Sequence, residues 1–143
     1  MVRDPEKIPI GEKYVVQRYI DKPYIIDELK FDFRIYVLIS GVNPLRIHIY
    51  EEGLARFATE TYEPPTDENL DFECMHLTNY AINKDHEDFV FNKDEDGDDV
   101  GHKRSLTATF TILEEKGVNI DKLWDEIKDL TVKTIIAIEP QLN

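Results

Sequence analysis

The chain is poor in cysteine: Cys74 stands alone in 143 residues, so no internal disulfide can form. No His/Cys spacing suits zinc either, and together these point to a reducing, cytoplasmic compartment. Long apolar runs are missing as well, none approaching the roughly eighteen residues of a membrane span. Met1 to Lys13 mix charge with two prolines and lack the apolar centre of a secretion signal. Positive charge is scarce, 17 Lys and Arg against 30 Asp and Glu, a formal net charge of −13. Such a field repels nucleic acid and anionic membrane, and neither is expected as a partner. There is no GxxxxGK[ST] or GxGxxG phosphate loop and no G-x-S-x-G elbow. What is present, 41% hydrophobic and 33% charged residues, suits one soluble domain with a core.

Val15 to Ile20 is β-branched and aromatic and closes on Asp21-Lys22-Pro23, which predicts a strand and a turn. From Lys30 the chain alternates, with Lys30, Asp32, Arg34 and Tyr36 on one side and Phe31, Phe33, Ile35 and Val37 on the other. That is the period of a half-buried strand. A turn at Gly41 to Pro44 leads to a second alternating run, Leu45 to Tyr50, and the two read as an antiparallel pair. Glu51-Glu52-Gly53 predicts another turn before a third strand, Leu54 to Thr59. Tyr62 to Phe72, with Pro64-Pro65, reads as a loop, and Cys74 to Lys84 as irregular or briefly helical. Residues 85–102, rich in Asp, Lys and Gly, predict a mobile acidic loop. Ser105 is the expected N-cap of a helix to Lys116 stopped by Gly117, and a longer helix follows from about Ile120 to Ile138, ended by Pro140. The class is α+β, an antiparallel sheet with helices.

The stripe of Lys30, Asp32 and Arg34 carries the first functional signal. Alternate strand positions set three charged heads on one face at roughly 6.5 to 7 Å intervals. Two cations flanking a carboxylate suit a phosphate or acyl phosphate that must be held during transfer. From spacing alone a solvated face with surface ion pairs is the commoner arrangement, and His48 likewise reads as an ordinary surface histidine. Asn92, Asp94, Asp96 and Gly97 imitate the start of an EF-hand loop. Its twelfth position is Lys103 where a bidentate glutamate is required, and no helix clearly precedes it, so calcium is rejected.

Several segments in one order are more specific than any of these. Gln17-Arg18-Tyr19-Ile20, Lys22-Pro23, Lys30-Phe31-Asp32-Phe33-Arg34-Ile35-Tyr36-Val37-Leu38, Pro44 to Ile47, Glu52 to Phe57, Met75 to Lys84, Gly101 to Ser105 and the Trp124 helix ending in Glu139-Pro140 follow one another. This succession resembles the tubulin tyrosine ligase-like family over nearly the whole chain, and the forms Lys-Phe-Asp-Phe-Arg-Ile-Tyr and His-Leu-Thr-Asn-Tyr resemble its glutamylases.

The resemblance implies the C-terminal part of an ATP-grasp fold, a partial domain over residues 1–143 that holds ATP and ligates glutamate to an activated carboxylate. By position, Gln17, Arg18, Tyr19 and Ile20 would be the hinge strand whose backbone meets adenine. Lys30 would contact nucleotide phosphates and Asp32 and Arg34 would line the reacting centre. Arg56 would meet a substrate carboxylate or the transferred phosphoryl group. His76, Thr78 and Asn79 would lie on a loop beside nucleotide and acceptor, with Lys103 and Arg104 adding positive charge. Mg2+ belongs to the family pattern, its ligands on a strand expected beyond Asn143, with no metal site in the chain. The isolated chain is then expected to be inactive. Implied partners are tubulin C-terminal tails or microtubules, with glutamate as co-substrate, in the cytoplasm, at the cytoskeleton, in a cilium or at a basal body. Helices turned toward the rest of a longer enzyme would expose apolar residues such as Trp124 or Ile135, which predicts self-association. The alternative is a noncatalytic microtubule- or cilium-associated module. A retired enzyme would be free to lose Lys30, Asp32, Arg34 and Arg56, and all four are present.

Overall fold

A computed structural model describes residues 1–2, 4–92 and 97–142. Strands β1 (Ile25–Ile26), β2 (Leu29–Val42), β3 (Leu45–Phe57) and β4 (Lys103–Ser105) form an antiparallel sheet in that order. Helices α1 (Glu73–His76) and α2 (Tyr80–Asn83) are single turns, whereas α3 (Leu106–Glu115) and α4 (Ile120–Leu142) are longer. The expected α+β class is therefore present. The chain divides into two compact units, residues 1–32 with 56–90, and residues 33–55 with 91–143, so β2 and β3 each contribute to both.

In the first unit β1 meets β2 through the register Ile25↔Lys30 and Ile26↔Leu29. The two-residue link, Asp27 and Glu28, has φ of 53° and 63°, the pattern of a primed hairpin turn that matches strand twist. Ile26, Phe57, Ala58 and Met75 are buried, and Phe31 stacks on Phe57 with centroids 5.3 Å apart. Polar residues share this interior. Asn83 accepts from the backbone N–H and hydroxyl of Thr59 at 3.0 and 2.8 Å, and its amide donates to the carbonyls of Leu77 and Asn79. One buried side chain thus ties β3's end to both short helices, as a buried amide must be satisfied on both sides.

The second unit is built on helix packing. Ser105 Oγ accepts from Ala108 N–H at 3.0 Å, capping α3 as its residue type predicts. At the other end Gly117 has φ of +87°, Gly117 N–H donates to Glu114 and Val118 N–H to Leu113, a Schellman stop. Asn119 Oδ1 then accepts from Lys122 N–H and starts α4. Phe33, Phe110 and Trp124 meet edge to face with centroids 5.4 and 5.6 Å apart, and Ala55, Leu106, Leu113 and Ile135 are buried.

Five expectations change. Val15 to Ile20 is not a strand: Val15, Val16 and Ile20 are 86%, 70% and 69% exposed, and β-propensity without a pairing partner does not make one. Glu51 to Gly53 is not a turn, because β3 runs through it and the expected third strand is its continuation. Glycine is needed there for a close approach, since a Cβ on Gly53 would lie 2.4 Å from the carbonyl oxygen of Arg34. His76 ends α1 instead of lying on a loop. Helix α4 passes Pro140 by two residues, within the last turn where one lost N–H bond is tolerable. Ile135 is buried and Trp124 half-buried, so the exposed apolar residues of α4 are instead Leu130, Val132, Ile136, Ile138 and Leu142. Of the expected acidic loop 85–102, residues 93–96 lie outside the described residues, including Asp94 and Asp96 of the calcium-like motif.

Candidate functional site

The first unit gathers most of the charged and polar positions singled out in the sequence. Lys30, half-buried on β2, donates from Nζ to the carbonyl of His76 at 2.9 Å and sits 4.0 Å above the centre of the Tyr19 ring. An ammonium over an aromatic face gains electrostatically from the ring quadrupole. Burial pushes Lys30 below the ordinary lysine value, and neighbouring Asp32 opposes that shift. The site therefore keeps its cation without full hydration, the condition in which an ammonium answers most strongly to an incoming anion.

His76 is buried and both ring nitrogens are engaged. Nε2 faces the carbonyl of Asn69 at 3.0 Å, and a carbonyl can only accept, so Nε2 carries the proton. Nδ1 then accepts from the Tyr19 hydroxyl at 3.1 Å. Burial leads in holding His76 below its ordinary value, with the Lys30 charge adding to it. Burial is also the main cause that raises the Tyr19 phenol. The rings of Tyr19 and Tyr62 meet His76 edge on at 5.7 and 6.1 Å.

Asp32 and Arg56, on adjacent strands, form a two-point pair in which Nε meets Oδ1 at 3.0 Å and Nη2 meets Oδ2 at 2.5 Å. Their side chains keep 36% and 23% exposure, so water screens the pair and its value lies in orientation more than in stability. Thr78 is half-buried between α1 and α2, and Asn79 is exposed at the start of α2 with no side-chain cap bond. Gln17, Arg18 and Ile20 are exposed on irregular backbone, whereas Tyr19 of that segment packs inward.

Arg34 and Lys103 belong to the second unit, where both are exposed, on β2 and β4. Arg104 is buried and donates from Nε to the carbonyl of Gly101 at 3.0 Å. Its cation is built into the fold. Among the described residues no group of three His, Cys, Asp or Glu side chains could hold a metal ion.

Sequence reasoning missed the residues that support these groups. Tyr62 donates to the carbonyl of Asp21 at 2.8 Å, and its N–H reaches Glu28. Asn69 accepts from Thr66 N–H at 2.7 Å and donates to the carbonyl of Pro64, so its amide closes the loop back onto the Pro64–Thr66 backbone. Glu52, a turn residue by its sequence context, does something else. Its carboxylate accepts from the N–H groups of Leu106 and Thr107 at 2.9 and 3.2 Å and from the Thr107 hydroxyl, filling the start of α3. Burial opposes its charge, but these donors together with Gly53 N–H outweigh it and hold the carboxyl below its ordinary value.

The geometry defines a small α+β domain with a partly desolvated lysine and an oriented arginine–aspartate pair on neighbouring strands. The chain belongs to the tubulin-tyrosine ligase family, which it matches over residues 1–143. It is 54% identical over 142 residues to a Tetrahymena thermophila protein named probable beta-tubulin polyglutamylase, covering 99% of this chain and 12% of the relative. It is 52% identical over 143 residues to human tubulin polyglutamylase TTLL13, covering all of this chain and 17% of that protein. Human tubulin polyglutamylase TTLL6 is 46% identical over 140 residues, 98% of this chain and 15% of the relative. The chain thus spans less than a fifth of the length of these curated relatives. No helix among the described residues is long and apolar enough to cross a membrane.

Proposed function

We propose that this chain is a section of the catalytic core of an ATP-dependent ligase that adds glutamate to the C-terminal tails of tubulin, acting on microtubules in the cytoplasm or a cilium. The observation that carries this reading is the match over essentially the full chain to relatives named tubulin polyglutamylases. In this reading the fold is part of an ATP-grasp core. ATP supplies the phosphoryl group that activates the acceptor carboxylate before the glutamate amine attacks it. The donor set suits the nucleotide's phosphates, since Lys30 offers a cation relieved of part of its water and seated by two contacts. Among the described residues no three His, Cys, Asp or Glu side chains gather into a metal-holding group, and the roles proposed for them involve no metal.

Lys30 would hold nucleotide phosphates. Asp32 would keep the Arg56 guanidinium in the plane that a carboxylate or phosphoryl group can approach, because a two-point contact fixes orientation as well as distance. Arg34 would stabilise charge that develops on the transferred group. Gln17 to Ile20 would meet the nucleotide base by backbone, and Thr78, Asn79 and Lys103 would face acceptor and nucleotide.

The test is a chimaera of the human TTLL13 relative with its matching segment replaced by this chain, assayed for glutamate incorporation into a tubulin tail peptide. ATP-dependent incorporation is expected. Arg34→Ala should lower the rate by roughly a hundredfold or more while the protein stays folded, the scale for removing one group that stabilises transition-state charge. Incorporation at the unsubstituted rate in Arg34→Ala would sink the assignment.

A further inference from the structure

The polar interior of the first unit converges on one ammonium. Lys30 Nζ is bound by the carbonyl of His76 at 2.9 Å and by the face of Tyr19 at 4.0 Å. Both of these partners are themselves set by the His76 ring, which holds the Tyr19 hydroxyl on Nδ1 and is anchored on Nε2 by Asn69. Asn69 in turn is fixed to the Pro64–Thr66 backbone by two side-chain bonds. His76, buried and with both ring nitrogens used inside the protein, offers none to a ligand.

We propose that His76 is a positioning residue for the Lys30 ammonium, anchored through Asn69, and does not itself contact substrate. The ring fixes its own carbonyl and the Tyr19 face at the same time, so a single side chain sets both surfaces on which the ammonium rests. The consequence for ligand binding rests on the nucleotide reading above, but the placement of Lys30 does not.

The experiment follows the ζ-nitrogen signal of Lys30 in protein carrying 15N-lysine, assigned by its disappearance in Lys30→Arg. Thermal unfolding is recorded for every variant. His76→Phe keeps a ring between Tyr19 and Tyr62 but loses both hydrogen bonds, whereas His76→Gln restores a donor toward Asn69. Water exchange of the Lys30 ammonium protons should quicken by roughly tenfold in His76→Phe, the scale of one lost hydrogen bond. Most of that change should be recovered in His76→Gln. The Lys30 titration midpoint, influenced also by Asp32, should rise toward the ordinary lysine value in His76→Phe as water reaches the ammonium. An unchanged Lys30 signal in a folded His76→Phe protein, or equal effects of Phe and Gln, would overturn the proposal. Should His76→Phe not fold, Asn69→Ala is read the same way, and an unchanged signal there overturns it too. Loss of ATP binding plays no part in these readouts, so a failed nucleotide reading and a failed positioning role remain distinguishable.

Discussion

The two units solve the problem of a small interior differently. The first buries His76, Asn83, Asn69 and Thr59 and connects short irregular segments by side-chain hydrogen bonds to backbone. The second buries Ala55, Leu106, Leu113 and Ile135 under two capped helices, with Phe33, Phe110 and Trp124 in edge contact, and its buried polar residues, Arg104 and Thr109, bond to backbone carbonyls close in the chain. A polar interior costs dehydration at each group and returns it only when every partner is in place, so it specifies one arrangement sharply. An apolar interior tolerates volume-conserving exchange. The unit that holds Lys30, Asp32 and Arg56 is the more sharply specified one.

The strongest way to break this contrast is Asn83→Leu, similar in volume but unable to bond. It leaves the hydroxyl of Thr59 and the carbonyl of Leu77 without the Asn83 amide, while Thr59 N–H keeps the carbonyl of Cys74 and the Asn79 carbonyl keeps two backbone donors, and should destabilise the protein by about 3 kcal/mol, the scale of two buried groups left unpaired. Leu113→Met, the matching change in the second unit, should cost about 1 kcal/mol or less. Urea unfolding of the two variants measures the difference, and equal losses would erase the distinction between the interiors.

A smaller effect sharpens the account of the second unit, where the Glu52 carboxylate serves the start of α3. Glu52→Ala should cost about 1 kcal/mol, the usual scale for a lost helix cap. Its carboxyl is held below the ordinary value of 4.5, so the folded state binds fewer protons than the unfolded one. The contribution is therefore present above pH 4.5 and is lost as pH falls from there through the folded-state value. Stability measured from about pH 7 to about pH 3 should fall less steeply in Glu52→Ala than in the parent sequence, and parallel curves would remove Glu52 from that role.

The smallest effect on stability concerns the C-terminal half of α4. Leu130, Val132, Ile136, Ile138 and Leu142 are exposed around a helix already buried at Ile135, and a helix apolar on most sides belongs in an interior. Self-association is the expected outcome for the chain alone. Ile136→Lys should leave the unfolding midpoint nearly unchanged while shifting the sedimentation profile toward monomer. A profile identical to that of the parent sequence would exclude this helix from the contact.

The strand expected from Lys30, the second run Leu45 to Tyr50, and the stops and starts at Ser105 and Gly117 were legible because their signals are local, although Val37, expected on the apolar side, is 40% exposed. Strand period and helix caps depend on residues a few positions apart. The spacing of Lys30, Asp32 and Arg34 at alternate positions of β2 is local in the same sense, although Arg34 falls in the second unit. Val15 to Ile20 misled, since a strand exists only with a partner, and no local pattern supplies one. Glu51 to Gly53 misled in the opposite way. Glycine usually marks a bend, but here it admits the Arg34 carbonyl, and Glu52 serves a helix more than fifty positions onward.

By itself, then, the amino-acid order determined the α+β class, the β2–β3 hairpin, the two capped helices and the family to which the chain belongs. Only the tertiary structure decided that Asp32 grips Arg56, that Arg104 is sequestered, and that His76 faces inward to Asn69 and Tyr19. The physical reason is distance along the chain. Periodicity and capping are fixed by neighbours, whereas the partner of a buried polar group is chosen by whichever distant backbone or side chain folding brings within about 3 Å, where a hydrogen bond can offset the lost water.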